Sequence, residues 1–386
     1  MTLYRQSAVA FAMAITVIQA APGPGFDGRK IRIDSKILGE SREILVRLPS
    51  GYESGPERFP LLIQLGGEAH FPYTVAVTEF LSRGDHIPRL IVAAILDPTP
   101  MHHYRDSTPT KVAYLPASGG AGRFLGFIKD ELVPALDAEF RTRPLRILCG
   151  HGLSGLFAVH ALLESPGTFA AFITDGASLT YDGSAILDRA ALRLTDPAVR
   201  GKLYLGVGNE METAPGLASF AVLLDKSAPD GLEWKTETFA DEDQGTASLP
   251  TLYHGLKWVF RSWRIPVAIA TQGMDAVKAY YRDLSAKLGY EIPVTEKILS
   301  TRGFQLIREQ RFDEALVLLD INAGAFPESP NAYHSLAVLS ERRRQWERAA
   351  SFYETAARKA ERADPELARF FRMQAGQARG RAGKKS

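Results

Sequence analysis

The feature of this sequence that most constrains its fold is a glycine-rich turn between two apolar runs. Residues 146–163 read RILCGHGLSGLFAVHALL. The run Leu145–Cys149 has the length of a buried strand, and Leu156–Leu163 has the apolar content of a buried helix. Three glycines between these runs permit a turn that a β-carbon would obstruct. The segment therefore predicts a strand that turns directly into a packed helix.

The surrounding sequence repeats this alternation of strand-like and helix-like runs. Six apolar or alternating runs predict strands: Ile31–Leu38, Ser41–Leu48, Leu61–Leu65, Leu90–Ile95, Leu145–Cys149 and Leu203–Gly208. Helical patterns lie between them at Thr74–Ser82 and Gly122–Phe140. Strands that alternate with helices form a mostly parallel sheet with helices on both faces. We therefore predict one α/β domain over residues 30–265.

The sequence changes after residue 265 and has a repeat with an offset of 34 residues. Gly303, Phe312, Ala315 and Leu319 recur as Ala337, Trp346, Ala349 and Tyr353. Small residues at close helix contacts, large interlocking ones and a closing proline are typical of tetratricopeptide-like helix pairs. The sequence predicts a connecting helix at 266–295, such repeats at 296–379 and a disordered basic tail at 380–386. A plain helical bundle is the alternative.

The first residues have the order of a signal peptide. Arg5 precedes the uncharged apolar run Ser7–Ile18, and the small residues Ala20 and Ala21 follow. This run is too short for a comfortable membrane span, and no later segment approaches one. We therefore expect residues 1–21 to be a cleaved signal, and the protein to be exported, periplasmic or secreted, with no integral membrane domain. An uncleaved anchor or a mistaken start codon is the alternative.

Charge and cysteine content narrow the possible ligands. The net charge of +2 argues against a strongly basic nucleic-acid binder, so we expect no nucleic-acid partner. Cys149 is the single cysteine of the sequence, so no intrachain disulfide is possible. The spacings C-x-x-C and H-E-x-x-H, which would indicate a metal site, are absent from the sequence. Neither a metal nor a cofactor is predicted.

Several short motifs in order resemble the enterochelin-esterase and esterase-D-type group of α/β-hydrolases. The elbow of that group is close to G-H-S-x-G-G-L-F, and this chain has GHGLSGLF from Gly150. The other matching segments are LGE at 38–40, LPSGY at 48–52, GEAHF at 67–71, RDSTP at 105–109, SGGA at 118–121 and LYHGL at 252–256. The resemblance covers about Ile31 to Phe260 and implies an α/β-hydrolase fold with an ester substrate. It also implies C-terminal tetratricopeptide-like helices in some members.

The two residues that such a family uses for catalysis are replaced here. Its nucleophilic serine corresponds to Gly152, and a glycine cannot attack a carbonyl. Its general-base histidine, in a loop resembling E-x-H-G-S, corresponds to Gln244, and a neutral amide cannot accept the serine proton. The acidic member of a triad would be Glu210, which follows the last predicted strand. Ser154 is the alternative nucleophile, and a packing serine is the competing interpretation.

The resemblance also implies which residues surround the pocket. The backbone N–H of Leu153 and the loop Gly66–Gly67 are candidates for an oxyanion hole. His70 and His151 are candidate pocket residues, and Arg105 is a candidate for shaping the pocket through an ion pair with Asp106. Such a pocket would bind an ester-like or carboxylate ligand.

Three functions are compatible with this sequence. The first is a catalytically silent hydrolase homologue, or pseudoenzyme, that acts by binding. The second is an active carboxylic-ester hydrolase whose machinery has moved to Ser154, His151 and His70. The third is an interaction protein in which the helical repeat binds a protein or peptide partner.

Overall fold

The computed structural model describes residues 28–383 and the backbone of residues 15–18. It divides into two compact units, Met1–Arg261 and Ser262–Ser386. The predicted boundary at residue 265 therefore lies slightly beyond the boundary in the structure. The physical reason is that Ile265 is buried in the hydrophobic core of the second unit.

The described part of the first unit contains one sheet of nine strands. In chain order these are β1 (Ile15–Ile18), β2 (Arg29–Ser35), β3 (Glu40–Arg47), β4 (Phe59–Gln64), β5 (Ile91–Ile95), β6 (Thr142–His151), β7 (Ala171–Asp175), β8 (Gly201–Val207) and β9 (Leu232–Thr238). Their order across the sheet is β1-β2-β3-β5-β4-β6-β7-β8-β9. The pairs from β5 to β9 are parallel, and those among β1, β2, β3 and β5 are antiparallel. The predicted mostly parallel sheet is confirmed.

Helices cover both faces of this sheet. They are α1 (Gly67–Arg83), α2 (Pro100–Ser107), α3 (Ala121–Phe127), α4 (Val133–Glu139), α5 (Leu153–Glu164), α6 (Tyr181–Arg193), α7 (Ala214–Ser227) and α8 (Ser248–Val259). A π-helical turn joins α3 to α4. Gly255 of α8 approaches Ile173, whereas Phe172 shares a core with Phe157 of α5. Successive strand residues point to opposite faces, so α5 and α8 lie on opposite sides of the sheet.

The expected signal segment overlaps the sheet at one place. The backbone of β1 pairs antiparallel with β2, from Ile15↔Ile33 to Ile18↔Lys30. The rest of residues 1–21 lies outside the described residues. Because β1 is an edge strand and pairs with β2 alone, a chain that begins after residue 21 would keep β2–β9 intact, with β2 as the new edge.

The regular elements in the described residues of the second unit are all helices. Its helices are α9 (Val267–Ala270), α10 (Met274–Leu288), α11 (Glu296–Arg308), α12 (Phe312–Ala325), α13 (Pro330–Arg342), α14 (Trp346–Ala360) and α15 (Pro365–Ala382). Helices α11 and α13 begin 34 residues apart, as do α12 and α14. A β-carbon on Gly303 of α11 would lie 2.3 Å from Leu319 of α12, and the equivalent Ala337 and Tyr353 share a core. The sequence repeat is therefore a repeat of helix pairs.

Two predicted segments of this unit differ from the structure. Helices α9 and α10 fall in the predicted connecting segment 266–295, but Ala270 and Val277 are buried in one core with Leu299 of α11. Helix α15 extends three residues into the predicted tail, to Ala382. The reason is that the guanidinium of Arg381 lies over the ring of Trp346, 5.2 Å from its centroid. Residues 384–386 lie outside the described residues.

No helix in the described residues is long and apolar enough to span a membrane.

Candidate active site

The turn between β6 and α5 has the backbone geometry of a nucleophile elbow. β6 ends at His151, α5 begins at Leu153, and Gly152 between them has φ 57° and ψ −118°. A residue with a β-carbon rarely adopts this conformation, and α/β-hydrolases use such a strained turn to expose the nucleophile above the sheet. Here a glycine is at the apex of that turn.

The apex has no nucleophile, but it has room for one. A β-carbon on Gly152 would meet no atom closer than 4.0 Å, the distance to the Ser178 hydroxyl oxygen. The N–H of Gly152 donates to the Asp175 carbonyl at 2.9 Å, and its own carbonyl accepts from the N–H groups of Leu156 and Ser178 at 3.0 Å. The elbow is therefore held by backbone hydrogen bonds that do not depend on the side chain at position 152.

Close packing at the base of the elbow gives a stability prediction. A β-carbon on Gly150 would lie 2.3 Å from the backbone oxygen of Ser154, whereas one on Gly126 of α3 would lie 3.7 Å from Ile37. We expect Gly150→Ala to lower the free energy of unfolding by about 1–3 kcal/mol through overpacking. The matched Gly126→Ala should raise it by up to about 1 kcal/mol, because alanine favours the helix. Urea unfolding of both variants measures this, and equal stabilities would contradict it.

An acidic residue lies beside the loop that corresponds to the family's general base. Glu210 follows β8, and the Thr213 hydroxyl donates to its Oε2 at 3.0 Å. Its Oε1 is buried and has no hydrogen-bond partner among the described residues. A β-carbon on Gly208 would lie 2.9 Å from this oxygen and 3.1 Å from the carbonyl carbon of Asp243. The Glu210 carboxylate and the Asp243 backbone are therefore close to each other. The exposed Gln244 follows Asp243 in the chain. The Glu210 carboxylate therefore lies beside the loop that contains Gln244, here called the base loop. None of the hydrogen bonds described for the carboxylate involves that loop.

A histidine–carboxylate pair that no motif of the sequence indicated lies next to the elbow. His151 and Asp175 are partners in the β6–β7 register, and His151 Nδ1 lies 2.8 Å from Asp175 Oδ2. The buried Asp175 also accepts hydrogen bonds from the hydroxyls of Ser248 at 2.8 Å and Thr251 at 2.9 Å. The aspartate favours the tautomer of His151 that carries its proton on Nδ1. In the sequence, the signal for this pair would have been an acidic residue at the carboxyl end of the adjacent parallel strand.

His70 is close to this pair and is kept neutral. Its ring centroid is 5.5 Å from that of His151, and its Nδ1 is 2.9 Å from the Tyr73 hydroxyl. Burial, reinforced by the neighbouring His151, lowers the pKa of His70 to about 4. The structure therefore brings together His70 and His151, two of the predicted pocket residues.

The low pKa of His70 predicts a loss of stability in acid. An unfolded chain takes up this proton near pH 6.5 and the folded chain only near pH 4, so stability falls as the pH decreases through that window. Between pH 7 and pH 5, the free energy of unfolding should fall by about 1–2 kcal/mol less in His70→Gln than in the wild type. Urea unfolding of both proteins at the two pH values tests this. Parallel losses in the two proteins would contradict it.

The predicted oxyanion donors lie at two helix starts. Leu153 is the first residue of α5, and Gly67 is the first residue of α1, after Gly66 at φ 63°. The N–H groups in the first turn of a helix have no acceptor within that helix, and the helix dipole favours negative charge there. A β-carbon on Gly66 would lie 3.5 Å from His70 Nε2, so this glycine adjoins the imidazole. Two sources of N–H donors are thus available near the elbow.

Ser154 and Cys149 occupy packing positions. Ser154 is buried in the first turn of α5, and its hydroxyl oxygen is 3.4 Å from that of Ser107. Among the described residues, no histidine bonds to it. Cys149 is buried in β6, and burial raises the pKa of its thiol. A protonated thiol is a poor nucleophile, so neither residue has the surroundings of an activated nucleophile.

Arg105 lies on α2 and belongs to a charged cluster with residues of β3. Its guanidinium bonds to both Glu40 oxygens, at 3.0 and 2.6 Å, and to Asp106 at 2.7 Å. Arg42, which is 0% exposed, bonds to Glu40 at 2.8 Å and also to Asp106. The predicted Arg105–Asp106 pair is therefore part of a larger charged network that includes Glu40 and Arg42. None of the contacts described for Arg105 reaches the elbow.

The fold and the elbow define the class of this protein, which is that of the α/β-hydrolases. The family model Esterase, described as "Putative esterase", matches residues 35–177. Residues 35–177 of the first unit are therefore similar to this esterase family, and the first unit has the fold of the enterochelin-esterase-type α/β-hydrolases.

The chain is also similar to individual esterases. The siderophore triacetylfusarinine C esterase of Aspergillus fumigatus is 36% identical over 87 residues, which is 22% of this chain and 30% of that protein. The ferri-bacillibactin esterase of Bacillus subtilis is 26% identical over 152 residues, 35% of this chain and 53% of that protein. This chain therefore matches about half, or less, of the full length of each of these two relatives. An IroE-like serine hydrolase from Shewanella oneidensis has a TM-score of 0.64 at 26% identity, over 77% of this chain and 99% of that structure.

Proposed function

We propose that this chain is a catalytically silent esterase-family protein that binds an ester-like or carboxylate ligand at the elbow without cleaving it. The observation that carries the proposal is Gly152, a residue without a nucleophile at φ 57° and ψ −118°. The second support is Gln244 in the base loop, because an amide cannot take the proton of an attacking hydroxyl. The serine mechanism begins with attack by a hydroxyl whose proton passes to a general base. Because both groups are missing here, that first step cannot occur.

The remaining parts of the site favour binding. N–H donors at the starts of α5 and α1 suit a carbonyl or carboxylate oxygen. The unpartnered Glu210 Oε1 is what the loss of its histidine partner would leave behind. Since the named relatives act on siderophore esters, we propose an ester of that chemical class as the ligand.

The proposal is tested with short-chain nitrophenyl esters and the full chain. We expect saturable binding by calorimetry, and nitrophenolate release no faster than in buffer. Gly152→Trp, which fills the apex, should abolish the binding, whereas Ser154→Ala should leave it unchanged. Ester hydrolysis that disappears in Ser154→Ala would overturn the proposal in favour of a relocated nucleophile. Hydrolysis that another pocket variant removes would also overturn it.

We also propose that the helical unit is tetratricopeptide-like and binds a peptide or protein partner. The support is the 34-residue repeat of helix pairs, together with Phe370 and Met373, which are exposed one turn apart on α15. Peptides selected on the wild type should fail to bind a Phe370→Ser/Met373→Ser variant. They should still bind the control Met211→Ser, which removes an exposed methionine of the first unit. Equal binding to both variants would sink the idea.

Export to the periplasm or the medium is the third part of the proposal. It rests on the apolar run Ser7–Ile18 and the small residues Ala20 and Ala21. Mass spectrometry of the protein from fractionated cells should find a mature chain that begins after residue 21. Recovery of the intact N-terminus from the cytosol would refute export by this signal.

A further inference from the structure

One ring nitrogen of His151 is open to a ligand at the elbow. The other nitrogen, Nδ1, is occupied, since it lies 2.8 Å from Asp175 Oδ2 and 3.2 Å from the Ser248 hydroxyl oxygen. No hydrogen bond within residues 28–383 reaches His151 Nε2, and this atom is not one of their buried polar atoms without a partner. The side chain of His151 is 22% exposed. Nε2 is therefore both unpaired within these residues and accessible.

The ring of His151 borders the apex of the elbow and the start of α1. His151 directly precedes Gly152, and a β-carbon on Gly176 would lie 3.9 Å from its Cε1. The ring of His70, in the first turn of α1, is centred 5.5 Å from the ring of His151. A ligand held by the N–H donors at the starts of α1 and α5 would therefore lie beside His151.

The hydrogen bond to Asp175 makes the accessible nitrogen an acceptor. Because the aspartate favours a proton on Nδ1, Nε2 of the neutral imidazole carries a lone pair. A ligand group that bonds to this nitrogen must donate a proton. The oxygens of an ester group are acceptors only, so the donor has to be a further group of the ligand.

The surroundings of His151 favour a neutral donor over an ammonium group. Burial, reinforced by His151, lowers the pKa of His70 to about 4, and the negative charge of Asp175 only partly opposes this shift. An ammonium group beside the two rings would lose hydration as the His70 cation does. A hydroxyl is neutral, donates one hydrogen bond and can accept another from the free N–H groups in the first turn of α1.

We propose that the ligand of the elbow is a hydroxy ester whose hydroxyl donates a hydrogen bond to His151 Nε2. The inference rests on the proposed binding function and names the chemical class of its ligand. His151 is then a specificity-determining residue, and Asp175 fixes its tautomer.

The test compares three ethyl esters on the full chain at pH 7 by ligand-observed NMR titration. They are ethyl 3-hydroxybutanoate, ethyl butanoate, which has no donor, and ethyl 3-aminobutanoate, which carries a cationic one. We expect the hydroxy ester to bind about threefold to tenfold more tightly than either of the others.

The other outcomes separate this inference from the proposed function. Equal binding of ethyl 3-hydroxybutanoate and ethyl butanoate would overturn the inference and leave binding at the elbow standing. Tighter binding of the amino ester would also overturn it, in favour of a cationic ligand. If none of the three esters binds, the proposed function fails and the inference fails with it.

Two histidine variants locate the hydroxyl. In His151→Phe the hydroxy ester should lose its advantage, so that its affinity equals that of ethyl butanoate. The matched control is His254→Phe, which removes the histidine that bonds to Glu237 on β9 and should preserve the advantage. An advantage that persists in His151→Phe with a native melting temperature would overturn the inference.

A measurement on the wild type serves if His151→Phe, which deprives Asp175 of a donor, does not fold. Histidine side chains are labelled with a nitrogen isotope, and the Nε2 signal of His151 is followed during both titrations. We expect this signal to shift with ethyl 3-hydroxybutanoate and to stay in place with ethyl butanoate. Shifts of equal size with the two esters, or no shift with either, would overturn the inference.

Discussion

Restoring both catalytic side chains is expected to produce a serine esterase. The Gly152→Ser/Gln244→His variant should hydrolyse short-chain nitrophenyl esters at least about 10³-fold faster than the wild type. The reason is that the elbow backbone is already formed and the apex has room for a side chain. In addition, Glu210 Oε1 adjoins the base loop and has no hydrogen-bond partner among residues 28–383. Initial rates, together with labelling by a fluorophosphonate, measure the gain.

The single variants are the controls for this result. Gly152→Ser provides a hydroxyl without a base, and Gln244→His provides a base without a nucleophile. Since the groups of a triad act as a unit, each single variant should remain near the wild-type rate. Adding Glu210→Gln to the double variant should cost about 10²–10⁴-fold, because the new histidine loses its orienting carboxylate.

The outcome that would contradict this prediction is a folded but inert double variant. Gly152→Ser carries a backbone strain of about 1–3 kcal/mol, so its melting temperature is recorded first. If the double variant unfolds in a native-like transition and does not react with fluorophosphonate, residue 244 does not reach the elbow. In that case Glu210 is not the remnant of a triad.

Removing the buried guanidinium of Arg42 is expected to have the largest effect on stability. Arg42 is 0% exposed, and it bonds to Glu40, to the Leu96 carbonyl and to Asp106, which is 1% exposed. Arg42→Met would remove one of the two guanidinium groups that balance Glu40 and the buried Asp106, and would leave both carboxylates to Arg105. We expect the free energy of unfolding to fall by about 3–5 kcal/mol, as measured by urea titration.

Arg32 on the adjacent strand provides the matched control. Its side chain is 50% exposed and pairs with Asp34 at 3.2 Å, so Arg32→Met should cost at most about 1 kcal/mol. Adding Asp106→Asn to Arg42→Met should recover part of the loss, because Arg105 then balances the Glu40 carboxylate alone. A cost for Arg42→Met no larger than that for Arg32→Met would contradict the prediction.

The sequence predicted some elements and missed others for identifiable reasons. β4 and β5 are continuous buried apolar runs, and their composition is sufficient to locate them. β9 was missed because five of the seven residues in its sequence, LEWKTET, are polar, so it lacks the apolar run of a buried strand. β7 was missed because only its first three residues, Ala171–Ile173, are apolar, and so short a pattern is equally compatible with a loop. Pairing with neighbouring strands, rather than local composition, makes these two segments strands.

The residues of the candidate site also fall into two groups, those that the sequence indicated and those that it did not. The motif itself located Gly152 and Gln244, since it depends on residue order. The sequence did not identify Asp175 or Ser248, because they lie 24 and 97 residues from His151 along the chain. It also placed Arg105 at the pocket, whereas the contacts of Arg105 belong to the Glu40 and Arg42 network. Ion pairs between distant segments follow from tertiary packing and have no local signature.

The sequence by itself determined the class of fold, the glycine at the apex of the elbow and the 34-residue repeat. All three follow from local patterns, because strand length, turn geometry and helix periodicity are properties of consecutive residues. Only the tertiary structure decided which polar groups meet. In the part of the chain that the structure describes, it joined His151 to Asp175 and left Glu210 Oε1 without a hydrogen-bond partner. Such contacts depend on the register of the sheet and on the packing of helices against it, and those are set by residues far apart in the chain.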